Sequence, residues 1–174
     1  FSALPAGYYI HWTSSPNYQN INNLTDFWSS AQVEGFGVYT YQLSYNSTQV
    51  YSFLKAYFAE PFDSWSVRCI RDGSYFDWSC GDDLIDFRDN QTYTTVQIGS
   101  QCWMAENLNI GTKVNGSQGQ NPSNGIIEKY CYNDQLGNCS DFGGLYLWDE
   151  MMQNTTDTTN QGICPDSWRI PTDY

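Results

Sequence analysis

An α+β fold built mostly from antiparallel strands, with few helices and disulfide staples, is what this sequence predicts. Three observations carry that prediction. Thr92, Thr94, Val96 and Ile98 alternate with Tyr93, Thr95 and Gln97, the period of two that sends successive side chains to opposite faces of a sheet. Six cysteines occur with no C-x-x-C pair, an even set that suits disulfides in an oxidising compartment better than a metal site. Charged residues make up 15% and aromatics 17%, a balance typical of strand- and loop-rich extracellular chains rather than of helical cytosolic ones.

Taken in order, Phe1 to Gly7 is a short apolar run closed by Pro5 and Gly7, and Tyr8-Tyr9-Ile10 continues it as a strand. Asn17 to Asp26 is polar and turn-rich, which predicts a surface loop. From Gly35 to Tyr45, Val38, Thr40, Gln42 and Ser44 alternate with Tyr39, Tyr41, Leu43 and Tyr45, so this stretch reads as a strand with one aromatic face. Val50 to Phe58 is apolar and suits a helix turn or another strand, with strand and loop the favoured reading; Trp65 to Asp72 reads as a strand. After the 92–98 run, Gly99-Ser100 supplies a turn and Gln101 to Met104 resumes an extended run. The expected hairpin directs Trp103 and Met104 into a core. Gly111 to Gly125, dense in Gly, Asn, Ser and Gln, is expected to be a long exposed loop, and Glu128 to Asp134 a strand running into a turn. Leu145, Trp148, Met151 and Met152 share one face at helical spacing, which predicts a helix over 145–153, ended by the polar Asn154–Asn160 run.

The totals narrow the function classes. At 174 residues the chain is long enough for one well-buried domain or for pieces of two. Seven Lys+Arg against 19 Asp+Glu give a formal charge of −12, which repels nucleic acid and anionic membrane surfaces. No run has the length and apolarity of a membrane span. Phe1-Ser2-Ala3-Leu4-Pro5 has no basic region before it, so the chain is expected to begin after processing or to be a piece of something longer.

Asp86 to Asn109, DFRDNQTYTTVQIGSQCWMAENLN, resembles the opening of the Fibrobacter succinogenes major paralogous domain, a module of secreted and surface bacterial proteins. The closing run C-P-D-S-W-R-I-P-T at 164–172 resembles that family's signature. It is also similar to the R-L-P-T-E-A-E-W motif of the formylglycine-generating enzyme relatives, whose fold is C-type-lectin-like. F-S-A-L-P-A-G-Y, F-W-S-S and W-S-V-R-C-I-R-D, at the start, middle and end of residues 1–72, resemble the closing half of the same domain. The resemblance implies a closing half at 1–72, a connector at 73–85 and an opening half at 86–174, in a C-type-lectin-like architecture. The halves stand in reversed order, and the helix and variable segment that the family places between them are missing. Either copies complete one another or the halves close within one chain. Completion by a neighbouring repeat or subunit is the favoured expectation, because each half carries an apolar face that it cannot bury alone.

Cys131 and Cys139 bracket a polar turn and have the spacing of a local disulfide. The resemblance pairs Cys69 with Cys164, which sit in two signatures that meet in a complete domain, and leaves Cys80 with Cys102. Six N-x-S/T triplets occur, at Asn23, Asn46, Asn90, Asn115, Asn138 and Asn154. Composition alone accounts for such triplets in an Asn- and Thr-rich chain; Asn115 and Asn154, in polar loops, are the candidates for glycosylation. Trp12, Trp28, Trp65, Trp103, Trp148 and Trp168 suggest a sugar-stacking platform, against the simpler reading of core packing. Trp12, beside His11 and a polar loop, is the least core-like and the candidate sugar contact. Asp82, Asp83, Asp86 and Asp89 form an acidic cluster that would suit a hard cation, against the simpler reading of a solvated connector.

No catalytic residue, metal ligand or cofactor is expected. His11 has no nucleophile context, and no pair of carboxylates is singled out by spacing. The reading is a structural or interaction module of an extracellular bacterial filament, pilus-like fibre or adhesin, partnered by copies of itself. The alternative is a carbohydrate-binding module of a secreted or surface protein.

Overall fold

The computed structural model describes residues 4–10, 17–56, 63–72 and 78–172. Its largest sheet is assembled from the first third of the chain. Strands β1 (Ala6–Ile10), β2 (Asn17–Ile21), β3 (Leu24–Val33), β4 (Gly37–Ser44) and β5 (Val50–Ala56) lie in the order β2-β1-β3-β4-β5. The β3–β4 and β4–β5 pairs are antiparallel, and the first has a register shift between Trp28 and Gln32. β1 meets β3 in parallel at Gly7 and Thr25. The polar 17–26 stretch is therefore strand rather than loop. Asn20, at φ 63°, takes the left-handed conformation that Asn tolerates, and so permits a pairing with β1 that its composition hides.

A second sheet, β6-β10-β9, joins the end of the 1–72 segment to the start of the 86–174 segment. It contains β6 (Ile70–Asp72), β9 (Thr95–Ile98) and β10 (Gln101–Met104). Two small ladders accompany it: β7 (Leu84–Asp86) with β8 (Gln91–Tyr93), and β11 (Thr112–Lys113) with β12 (Glu128–Lys129). Two short helices, α1 (Leu136–Phe142) and α2 (Trp148–Met152), complete the described architecture, which is mostly β.

The 92–98 alternation is divided between β8 and β9. Thr94 breaks it by donating its backbone N–H (2.8 Å) and hydroxyl (2.5 Å) to the Glu106 carboxylate. The hairpin turns at Gly99-Ser100 and pairs Ile98 with Gln101. Adjacent strand residues face opposite ways, so Met104 and Cys102 enter the core while Trp103 stays half-buried on the other face; the expectation that Trp103 and Met104 both point inward is corrected. The strand expected over Trp65–Asp72 is a buried extended segment held mostly by single bridges, and only Ile70–Asp72 forms a ladder. The helix expected over 145–153 is confined to α2, because Leu145 and Tyr146 instead bridge to Tyr130 and Trp65.

Both segments of the sequence contribute to one interior. Trp28, Val38, Trp65, Val67 and Cys69 pack in the same cluster as Tyr93, Met104, Leu108, Met151, Ile163 and Ile170. Trp65 pairs with Tyr146, Ile70 with Arg169, and the Leu108 N–H donates to the Val67 carbonyl. The expectation that a neighbouring copy completes the halves is corrected here. They close on each other within one chain, because the apolar face of each is the cover that the other needs. Gly143, at φ 82° with a would-be Cβ 2.5 Å from that of Asn107, lets the chain between α1 and Leu145 pass close enough to seal this interior.

Candidate functional site

The cysteines are the first functional group to place. Cys69–Cys164, Cys80–Cys102 and Cys131–Cys139 are disulfide-bonded, and no cysteine among the described residues is free. Cys69–Cys164 spans 95 residues and ties the buried 63–70 segment to the closing loop. Cys80–Cys102 fastens the connector to β10, and Cys131–Cys139 closes the turn that leads into α1.

Next to the Cys69–Cys164 staple lies a buried polar knot. Arg68, 2% exposed, donates from Nε to Asn107 Oδ1 at 2.8 Å and stacks over the Phe27 ring. Asn107 in turn donates from Nδ2 to the Phe142 carbonyl at 2.8 Å. Burial lowers the Arg68 guanidinium to about 10, since the charged form has lost its water. A cleft of about 380 Å³ opens over this knot, its lining polar at Gln91, Thr94, Glu106, Asn107 and Asn109 and apolar at Leu4, Ala105 and Phe142. Behind the lining residue Asn109, Lys129, buried, donates to both its backbone and its side-chain oxygen, and burial depresses the Lys129 ammonium to about 8. These donors and acceptors are largely committed to one another, which makes the knot a structural lock between the halves.

A second concavity, about 370 Å³ and apolar, lies against the large sheet between Phe27, Tyr41, Leu43, Val50, Ile98 and Trp103. It adjoins β5, the outer strand of the sheet. Val50, Tyr51, Phe53 and Leu54 are 41–60% exposed there. Sequence reading found the strand but not its exposure. The available signal was that its apolar residues fall on both faces, which a sheet covered on one side does not require.

The remaining candidates are dispersed. Trp12 and His11 lie outside the described residues. Trp28, Trp65, Trp148 and Trp168 are buried, so they present no common platform. Asn115 is exposed, and its Oδ1 accepts from Lys113. Asn154 is exposed at φ 57°, but its Nδ2 already donates to the Pro122 carbonyl at 2.6 Å. In the acidic stretch, Asp82 accepts from the Ser79 N–H, and buried Asp86 holds Arg88 in a two-pronged pair at 2.6 and 2.8 Å. Asp89 accepts from Gln91. No cluster with metal-ligating composition forms among the described residues.

Residues 96–174 match the family model described as the Fibrobacter succinogenes major domain. This segment carries that domain. It includes β10, both helices and the W-R-I-P-T closing run, so the segment holding the Fibrobacter succinogenes major domain supplies two of the three strands in the second sheet, one partner of Cys69–Cys164 and of Cys80–Cys102, and both partners of Cys131–Cys139. Comparison with curated proteins and with solved structures gave no match. No helix among the described residues is long and apolar enough to cross a membrane.

Proposed function

We propose that this chain is a non-catalytic structural and interaction module of a bacterial extracellular filament, pilus-like fibre or adhesin, with a C-type-lectin-like fold. The observation that carries the reading is the combination of three disulfides with an apolar strand left at the sheet edge. Such staples hold a fold outside the reducing cytosol, and an uncovered edge strand is a surface for assembly. Because the halves complete each other within the chain, contact between copies falls to outer surfaces. The alternative reading as a carbohydrate-binding module has less support, since four of the tryptophans that would form a stacking platform are in the core.

Multi-angle light scattering of the disulfide-intact chain across a concentration series, with electron microscopy of the most concentrated sample, tests the proposal. Concentration-dependent oligomers or fibres are the expected result. A single monomeric mass throughout, with no higher species on the grids, overturns it.

A further inference from the structure

The geometry points to β5 as the contact between copies: the β5 edges of two chains pair antiparallel about a two-fold axis near Phe53, making one continuous ten-stranded sheet. This inference rests on the proposed assembly role and names the surface that performs it.

β5 ends the strand order of the five-stranded sheet, and among the described residues no further strand covers it. Its pairing with β4 runs without a bulge from Gly37–Ala56 to Leu43–Val50. Natural edges are blunted by proline, bulges or inward charges, whereas VYSFLKA has only Lys55, near its end. The opposite edge, β2, is polar and half-buried, carries left-handed Asn20, and is tied down by the Tyr18 hydroxyl donating to Asp134 at 2.8 Å. The two edges thus differ, and β5 is the one open to pairing.

The chemistry of the occupant follows from the same strand. Leu43 opposite Val50 and Tyr39 opposite Leu54 mark one face; Gln42 opposite Tyr51 and Thr40 opposite Phe53 mark the other. An incoming strand must therefore offer apolar side chains on both faces, and β5 itself does so. Centred on Phe53, the antiparallel register sets Tyr51 against Lys55 and Ser52 against Leu54. Every charge is then near an aromatic ring, as Lys55 already is within its own chain, 4.9 Å from the Trp65 ring.

Charge selects the same place. The chain carries −12 overall, so most surfaces of two copies repel, while β5 has no acidic residue and one cation. The exposed parts of Val50, Tyr51, Phe53 and Leu54 amount to roughly 80 Å² each, so about 600 to 700 Å² is covered per pair before main chain, Ser52 and Lys55 are added. That total lies below the roughly 1,200 Å² of a stable specific interface, so pairing is weak and reversible and strengthens with salt as repulsion is screened. A two-fold contact closes on itself, so it supplies one of the two contacts that a fibre needs.

Phe53→Cys tests the register, with the exposed Leu136→Cys on α1 as control, each verified by mass to retain three native disulfides. Mild oxidation is expected to give a reducible dimer of Phe53→Cys and none of Leu136→Cys. Phe53→Lys and Val50→Lys, each checked for an unchanged thermal unfolding midpoint, are expected to weaken association at least tenfold. If the unmodified chain associates but Phe53→Cys does not cross-link and both Lys variants associate normally, the β5 assignment is overturned while the assembly role stands. If the unmodified chain stays monomeric at every concentration and salt level, both are overturned.

Discussion

Glu150 shows what a single buried carboxyl does to this fold. It is fully buried; Oε1 accepts the Glu128 N–H at 3.0 Å, and Oε2 has no partner among the described residues. Burial raises it to about 7 from an ordinary 4.5. Asp26, 1% exposed with Gln42 donating to both oxygens, is raised by burial to about 6 from 3.8. In each the folded state prefers the proton, so the contribution to stability is complete below the ordinary value and is lost as pH rises through the folded one. The windows are about 3.8 to 6 for Asp26 and 4.5 to 7 for Glu150. Glu150→Gln is expected to stabilise the protein by about 2 kcal/mol at pH 8, with little change at pH 4, and Asp26→Asn to behave likewise with its window a unit lower. Urea unfolding at several pH values measures this; a Glu150→Gln curve parallel to that of the parent at every pH contradicts it. Asn107→Ala is expected to cost about 3 kcal/mol by leaving the Arg68 guanidinium buried without its Oδ1 acceptor, measured the same way.

Between elements, the disulfides differ in the freedom that they remove. Chain entropy assigns about 4.5 kcal/mol to a loop of the Cys69–Cys164 size and about 2.5 kcal/mol to one of the Cys131–Cys139 size. Replacing both members of a pair by Ser is therefore expected to lower stability about 2 kcal/mol more for the long loop. Equal losses in denaturant unfolding would show that local packing, not loop closure, sets the value. At this scale the sequence was partly legible. Alternation identified β4 and the Gly99-Ser100 hairpin, because both are local. It missed β2 and α1, since a polar edge strand and a seven-residue helix lack a strong period of their own, and tertiary contacts hold them.

For the whole molecule, the shared interior has a direct consequence. Residues 1–85 and 86–174 expressed separately are each expected to lack cooperative unfolding, because Trp65 and Val67 find their cover in Tyr146 and Leu108. Circular dichroism melts of the pieces, alone and mixed, decide this; a sharp transition in either piece alone would show a self-sufficient unit.

Charge, cysteine parity and the run from Asp86 to Asn109 by themselves determined the compartment to be tested, the strand-rich class and the family of residues 96–174, since all three are read from residue identity and local order. Only the tertiary structure decided that the halves close within one chain, that Trp103 lies half-buried on the face opposite Met104 and that no further strand among the described residues covers β5. Each of these depends on which distant face reaches an apolar surface first, and local sequence holds no record of that competition.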